Sequence, residues 1–228
     1  MRTPANLYGS ILKPIHKALT LRTVATATDT PTPPRLLPII KQEHREIHAH
    51  SHRILHSASP DEQTRYQNLF TWELARHVIG EELVVYPAIA AHVKNGFKVV
   101  SRNRAEHHAI KEQLKVFQGL PSTDPRFAAA LEELMGDLTP HMQREESEDF
   151  VALEEALSEG ESEEIARVLD RTKAFVPSRS HPLAPVDPPF HTVAGLLTAP
   201  LDMIADLFRK WPHSRDEGGK VRQRTDLR

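Results

Sequence analysis

The chain of 228 residues contains no cysteine. Disulfides, iron–sulfur clusters and thiolate zinc sites are therefore excluded, and a bound metal ion would need imidazole nitrogens and oxygens as ligands. No apolar run approaches the roughly 18 residues that a membrane-spanning helix requires. The formal charge of −2 is close to balance, which argues against a general nucleic-acid binder. A Gly-rich phosphate loop and a nucleophile elbow are also missing.

The hydrophobic pattern is helical over most of the chain. Apolar residues at alternating spacings of three and four predict four helical segments within residues 35–158. Short breaks between them predict an all-α fold, an up-down-up-down four-helix bundle with additional C-terminal helices. We expect an accessory helix at 159–176, followed over 177–228 by a Pro-rich strap, an amphipathic helix and a charged tail.

Residues 1–34 form an extension that precedes the bundle. All of its formal charges before Asp29 are positive, and its apolar residues follow helical spacing. This pattern resembles a mitochondrial transit peptide and predicts a mitochondrial location. The alternative is a disordered tail on a cytoplasmic protein.

Proline, glycine and capping residues mark the expected ends of the helices. Ser59 is predicted to cap the second segment, with Glu62 completing a capping box. Pro87 should kink that segment. In the fourth segment Pro140 should bend the helix, and Gly160 should end it.

A histidine–carboxylate pattern occurs twice and accounts for many of the 14 histidines. Each copy has a Glu-His pair in one segment and a His-x-x-x-Glu-Glu run in the next. The copies are Glu43-His44 with His77 to Glu82, and Glu106-His107 with His141 to Glu146. Residues four apart share a helix face, so His77 with Glu81, and His141 with Glu145, can reach one centre.

Metal ions are the usual reason to collect these groups in the core of a bundle. The repeat suggests an approximate two-fold axis, with two carboxylates bridging two ions and four histidines as terminal ligands. The plainer alternative is satisfied core histidines and surface ion pairs. A zinc-protease helix does not fit, because Glu46 is two positions after His44 instead of one.

With these motifs, and with Tyr86-Pro87, the chain resembles hemerythrin-like proteins, the group also called HHE cation-binding domains. The resemblance spans about residues 36–157, and the Pro-rich segment from Val176 to Pro185 is similar to an appended segment of fungal members. It implies a four-helix bundle with two non-heme iron ions, bridged by an oxo or hydroxo group. By the resemblance, Glu81 and Glu145 would bridge, and the terminal ligands would be His44, His77, His107 and His141.

The resemblance also implies the partners of the centre. They are small diatomic or anionic ligands such as O2, NO or azide, and no nucleic acid is expected. Two other functions stay open: a di-iron redox enzyme acting on peroxide, NO or O2, and an iron store or sensor. Sequence alone does not separate binding from turnover, since both use the same ligands.

One departure from the family concerns the third segment. Oxygen-carrying members have a second histidine four residues after the first, and that position here is Lys111. His48 follows His44 by four, so an inverted arrangement is possible in which His48 is a metal ligand. The plainer alternative is a solvent-facing His48. We expect Lys111 to extend towards solvent, and one of Glu82 and Glu146 to orient a ligand histidine.

Overall fold

The computed structural model describes residues 34–173, 175–176, 179, 206 and 209–213. Every regular element within these residues is a helix, so the predicted all-α bundle is confirmed. The predictions for residues 1–33, and almost all of those for the strap, amphipathic helix and tail, lie outside the described residues. None of the described helices is long and apolar enough to span a membrane.

Four segments form the bundle, and two of them are interrupted by a π-helical turn. The first segment is α1 (Leu36–His56), and the third is α4 (Gly96–Gly119). The second consists of α2 (Pro60–Gly80), π1 (Glu81–Val85) and α3 (Tyr86–His92). The fourth consists of α5 (Phe127–Arg144), π2 (Glu145–Asp149) and α6 (Phe150–Ala156). An accessory helix, α7 (Glu159–Lys173), packs against α1, α2 and π1.

The two π turns begin at the two glutamates of the repeated pattern. The backbone N–H of Tyr86 donates to the carbonyl of Glu81, and that of Phe150 donates to Glu145, five residues back in each case. This spacing brings the fifth residue back to the same side of the helix, so Tyr86 and Phe150 are both fully buried. Single π turns often occur at functional sites. Pro87, where a kink was expected, directly follows this arrangement.

Two apolar clusters fill the bundle, and the polar residues of the repeat separate them along the chain. In α1, Leu36 and Ile40 belong to one cluster, while Ile47 and Ile54 belong to the other. His44 lies between these pairs and is itself buried. The other three segments also run from one cluster to the other, in the opposite order in the second and fourth segments. The apolar layers on both sides therefore keep water away from the buried histidines and glutamates.

Helix α7 begins at Glu159 with a cap of its own. Ser158 and Glu161 make a reciprocal capping box, in which each side chain accepts a hydrogen bond from the other residue's backbone N–H. Gly160 therefore lies in the first turn of α7, and the prediction that it ends the preceding helix was wrong. Ser162 fastens α7 to the bundle, because its hydroxyl accepts from the N–H of Leu36 at 3.0 Å.

The predicted Ser59 cap of the second segment forms, but the predicted capping box does not, because the N–H of Ser59 donates to the hydroxyl of Ser57 and not to Glu62. The hydroxyl of Ser59 accepts from the N–H of Glu62 at 3.3 Å. The Glu62 carboxylate accepts from the hydroxyl of Ser57 and from Arg53. The cap therefore also ties the second segment to the end of the first.

Gly96 is required by close packing where α3 turns into α4. Asn95 takes the left-handed conformation with φ of 59°. A β-carbon added at Gly96 would lie 2.1 Å from the carbonyl oxygen of Ile89, which belongs to the rigid backbone of α3. Gly136 is the opposite case, because a β-carbon there meets no atom within 4 Å.

We expect Gly96→Ala to lower the free energy of unfolding by about 2 kcal/mol or more, because backbone has to move to relieve the clash. Gly136→Ala is the matched control and should raise it by about 0.5–1 kcal/mol, since alanine is the better helix former. Urea unfolding followed by circular dichroism measures both. Equal stability of the two variants would contradict the packing role of Gly96.

Candidate metal centre

The repeated pattern comes together as two groups of metal-binding residues that share two members. One group contains His44, His77, Glu81 and Glu145, and the other contains Glu81, His107, His141 and Glu145. Within each group, one ligand atom per residue lies within 4.8 Å of all the others. We call the six residues the His/Glu centre. All six are buried.

The histidines of the centre form two close pairs. The Nε2 atoms of His44 and His77, the first pair, are 3.2 Å apart. Those of His107 and His141, the second pair, are 3.0 Å apart. Each pair takes one ring from a Glu-His motif and one from a His-x-x-x-Glu-Glu motif, as the repeat in the sequence indicates.

Both glutamates of the centre reach both histidine pairs. Oε1 of Glu81 lies 3.4 Å from Nε2 of His77, and Oε2 lies 3.5 Å from Nε2 of His107. Glu145 is arranged in the opposite way. Its Oε1 lies 3.3 Å from Nε2 of His141, in the second pair, and its Oε2 lies 3.7 Å from Nε2 of His44, in the first. Each carboxylate therefore presents one oxygen to each pair, which is the geometry of a bridging ligand.

Each of the four rings has a further carboxylate at its other nitrogen. An ionised carboxylate only accepts hydrogen bonds, so Nδ1 carries the proton and the Nε2 lone pair points into the centre. The Nδ1 contacts are His44 to Glu146 at 2.8 Å, His77 to Glu43 at 2.9 Å, His107 to Glu82 at 3.2 Å and His141 to Glu106 at 2.7 Å.

The centre as it stands has an excess of acceptors. Both oxygens of Glu81 and Oε2 of Glu145 are buried without a hydrogen-bond partner among the described residues. The Nε2 lone pairs face one another at close range as well. Buried acceptors that lack donors are costly, and cations bound between them would remove that cost. The residues present therefore fit a pair of metal ions.

Comparison with known proteins agrees with this geometry. The sequence model of the family described as Hemerythrin HHE cation binding domain matches residues 35–153. The chain belongs to this family. An uncharacterized hemerythrin-like protein of Schizosaccharomyces pombe is 44% identical over 179 residues, which cover 78% of this chain and 88% of that protein.

A solved structure supports the fold. It is the crystal structure of a hemerythrin HHE cation binding domain-containing protein from Mycobacterium kansasii, with a TM-score of 0.54 and 22% sequence identity. The match covers 62% of this chain and 86% of that one. The chain is thus a hemerythrin-like cation-binding domain whose His/Glu groups could hold metal.

Burial prepares two of the hemerythrin-like histidines to act as ligands at neutral pH. Burial, reinforced by the neighbouring His77, lowers the pKa of His44 to about 2. Burial also lowers the pKa of His107 to about 4, although its contact with Glu82 opposes the shift. Both rings are therefore neutral near pH 7, the form that binds a metal ion.

Two other groups of the centre hold protons more tightly than usual. Burial, together with the charge of Glu145, raises the pKa of Glu81 well above its ordinary value. Burial alone would lower the pKa of His141, but its contacts with Glu145 and Glu106 outweigh burial and raise it. Protons therefore compete with a metal ion for Glu81 and His141 more strongly than for unperturbed side chains.

Lys111 corrects one expectation from the sequence. Its side chain was expected to extend into solvent, but it is buried and its Nζ donates to both oxygens of Glu82 at 2.9 and 3.1 Å. Glu82 in turn contacts His107. A buried carboxylate without a cation is costly, which explains why the ammonium turns inwards. One of Glu82 and Glu146 was expected to orient a ligand histidine, and in the structure both of them contact one.

His48 lies outside both metal-binding groups found among the described residues. It is half-buried, one helical turn beyond His44. In the repeat it corresponds to Lys111, whose side chain pairs with the outer carboxylate of Glu82. The four histidines that the structure brings together are those of the two repeated motifs.

The hydroxyl of Tyr86 reaches the centre, a role that sequence reasoning missed. It lies 2.8 Å from Nε2 of His107 and donates to Oε1 of Glu145 at 3.1 Å. Burial raises the pKa of Tyr86 well above its usual range, and Glu145 adds to the shift, so the hydroxyl remains a donor. The corresponding residue in the other half is Phe150, which has no such group. The signal in the sequence that could have indicated this role is the position of Tyr86, five residues after Glu81.

The sequence also did not reveal the cations that hold two of the outer carboxylates. Lys173 of α7 pairs with Glu43, and Arg144 pairs with Glu106. Burial alone would raise the pKa of Glu43, but the hydrogen bond with His77 and the charge of Lys173 outweigh it and lower the pKa to about 2. Lys173 is far from the motifs along the chain, so no local pattern indicates its role.

We expect Lys111→Met to lower the free energy of unfolding by about 3–5 kcal/mol, because it leaves the buried Glu82 carboxylate without its cation. The matched control is Lys115→Met, an exposed lysine of the same helix, which should change stability by no more than about 0.5 kcal/mol. Adding Glu82→Gln to Lys111→Met should restore part of the loss. Urea unfolding at matched metal content measures these values, and equal effects of the two single variants would contradict the buried pair.

We expect metal binding to release protons at pH 7. The pKa values of Glu81 and His141 are raised, so protons compete with metal for these two ligands up to a higher pH than usual, and affinity should fall as pH falls. Calorimetric titration in two buffers with different ionisation enthalpies measures the number released, which should be at least about one per chain. Identical observed enthalpies in the two buffers would rule out the release.

Proposed function

We propose that this hemerythrin-like chain is a non-heme di-iron protein that binds O2, NO or small anions at the His/Glu centre. One observation carries the proposal: Glu81 and Glu145 belong to both metal-binding groups. Two positions that share two carboxylates favour a pair of ions bridged by them over a single ion. The rest of the arrangement supports this choice.

The charges around the centre support a pair of ions. Six carboxylates surround it, two in the centre and four on the outer ring nitrogens, and three cations pair with three of the outer ones. Three negative charges therefore remain, and two divalent ions would compensate them with one further small anion. The cations are Lys111, Lys173 and Arg144. Three of the six, Glu81, Glu82 and Glu145, are buried, and burying them without compensating charge would be very costly.

The donor set supports iron. Each group offers two imidazole nitrogens and one oxygen from each of two carboxylates, a mixture that suits iron, as in other non-heme iron sites with open positions. Four protein ligands leave two positions of an octahedral ion for other ligands. Bound iron would supply redox-active positions at which O2, NO or an anion can coordinate.

The protein residues around the centre would control such a ligand. The outer carboxylates hold each imidazole in the tautomer that directs Nε2 inwards. The apolar layers on both sides exclude bulk water. Tyr86 places its hydroxyl between His107 and Glu145, where its single O–H could turn from Glu145 to a ligand held near the second pair. The first pair lacks this donor, so the two positions differ.

The test is metal content and the visible spectrum of protein produced with iron, with and without azide. We expect about two irons per chain, as two metal-binding groups imply, and near-ultraviolet bands that shift with azide. His44→Ala should lose iron and the shift, whereas His48→Ala, one turn further along α1, should keep both. Zinc or no metal in a protein of intact helix content would refute the di-iron proposal.

A further inference from the structure

The two halves of the His/Glu centre differ in what covers them. In contacts and motif order, α1 and α2 correspond to α4 and α5, so that His77 corresponds to His141 and Glu43 to Glu106. Residues at matching positions can therefore be compared directly. Among residues 34–173 and the few described beyond them, the comparison shows one side that a helix covers and one side that is open.

Helix α7 covers the side formed by α1 and α2. Lys173 pairs with Glu43, and its carbonyl accepts from Nε of Arg76 at 2.7 Å. Gly80 allows α7 to lie close against α2, since a β-carbon there would be 2.9 Å from Cδ1 of Leu169. The outer face of His77 is thus sealed by a helix.

The matching side, between α4 and α5, carries a cleft of about 430 Å³. Small residues line it where α1 and α2 have long ones: Ala105 corresponds to Gln42, Ala109 to Glu46 and Pro140 to Arg76. His141 and Glu106 also line the cleft. The cleft therefore leads from the surface to a ring of the second histidine pair.

Arg144 lines the cleft and has an unused donor. Its Nη2 pairs with Glu106, while its Nε is buried with no hydrogen-bond partner among the described residues. A guanidinium holds its donors in a fixed plane that suits small anions. The corresponding residue on the covered side is Gly80, so this cation is specific to the open side.

We propose that the cleft between α4 and α5 is the route by which small inorganic anions reach the His/Glu centre, and that Arg144 is the first group to bind them. This proposal rests on the proposed function, because it assumes that iron at the centre takes such ligands. The His107/His141 position then receives the anion, on the side of the centre that also carries the Tyr86 hydroxyl. Helix α7 closes the other side.

The first experiment narrows the cleft. Ala109 is exposed on α4, so Ala109→Leu fills space in the cleft without disturbing the core. In stopped-flow mixing of the iron-loaded protein with azide, association and dissociation should both slow several-fold, while the dissociation constant stays the same. This combination identifies a route, because a change in the bound state would alter affinity. Ala49→Leu, at an exposed alanine of α1, is the matched control and should leave both rates unchanged.

The second experiment removes the charge. Arg144→Gln should slow azide association most at low ionic strength and reduce its dependence on salt, because steering by a charge is screened by salt. Arg144→Lys keeps the charge and should retain most of the salt dependence. A purely structural role for Arg144 would not produce this difference between the two variants.

The outcomes separate this proposal from the proposed function. Normal azide binding with unchanged rates in Ala109→Leu would overturn the route alone. A changed dissociation constant with an unchanged association rate would also overturn it. Failure of the iron-loaded wild-type protein to bind azide would overturn both.

Discussion

The structure depends on two carboxylates buried at its centre. Glu81 and Glu145 are fully buried, and three of their four oxygens have no hydrogen-bond partner among the described residues. Such groups are tolerated only when something positive is close to them. The four histidines meet the carboxylates, an outer carboxylate directs each ring, and Lys111, Lys173 and Arg144 hold three of those outer groups. The histidines, the outer carboxylates and the cations thus each compensate or orient the groups that lie nearer the centre.

Approximate repetition builds the centre, and the exceptions to it make the two metal positions different. Every ring contact of the first pair has a counterpart in the second. Tyr86 corresponds to Phe150 in this repeat. Of these two residues, Tyr86 alone gives its metal position a hydroxyl donor. Glu43 takes its cation from α7, while Glu106 takes it from Arg144 on its neighbouring helix. The two groups of this hemerythrin-like centre are therefore alike in their histidines and glutamates and differ in the residues around them.

The helices and the motif residues were predictable because their signals are local. Helical spacing, the Ser59 cap and the four-residue His–Glu spacing each depend on a few neighbouring residues. Predictions that depended on contacts across the bundle were less successful. Lys111 was expected to be solvated, because its partner Glu82 belongs to another segment and is not indicated by the local sequence. The error at Gly160 was instead a local one, because Ser158 and Glu161 on either side of it form the capping box that starts α7.

The sequence by itself determined the fold class, the donor chemistry and the six residues that could share a centre, because each is encoded by residue type and by spacing along one helix. Only the tertiary structure decided which carboxylate orients which ring, where Tyr86 and Lys173 act and which side of the centre α7 covers. The reason is physical: those contacts join residues that are distant in the chain. Their geometry follows from how helices pack and from which buried charges have to be compensated.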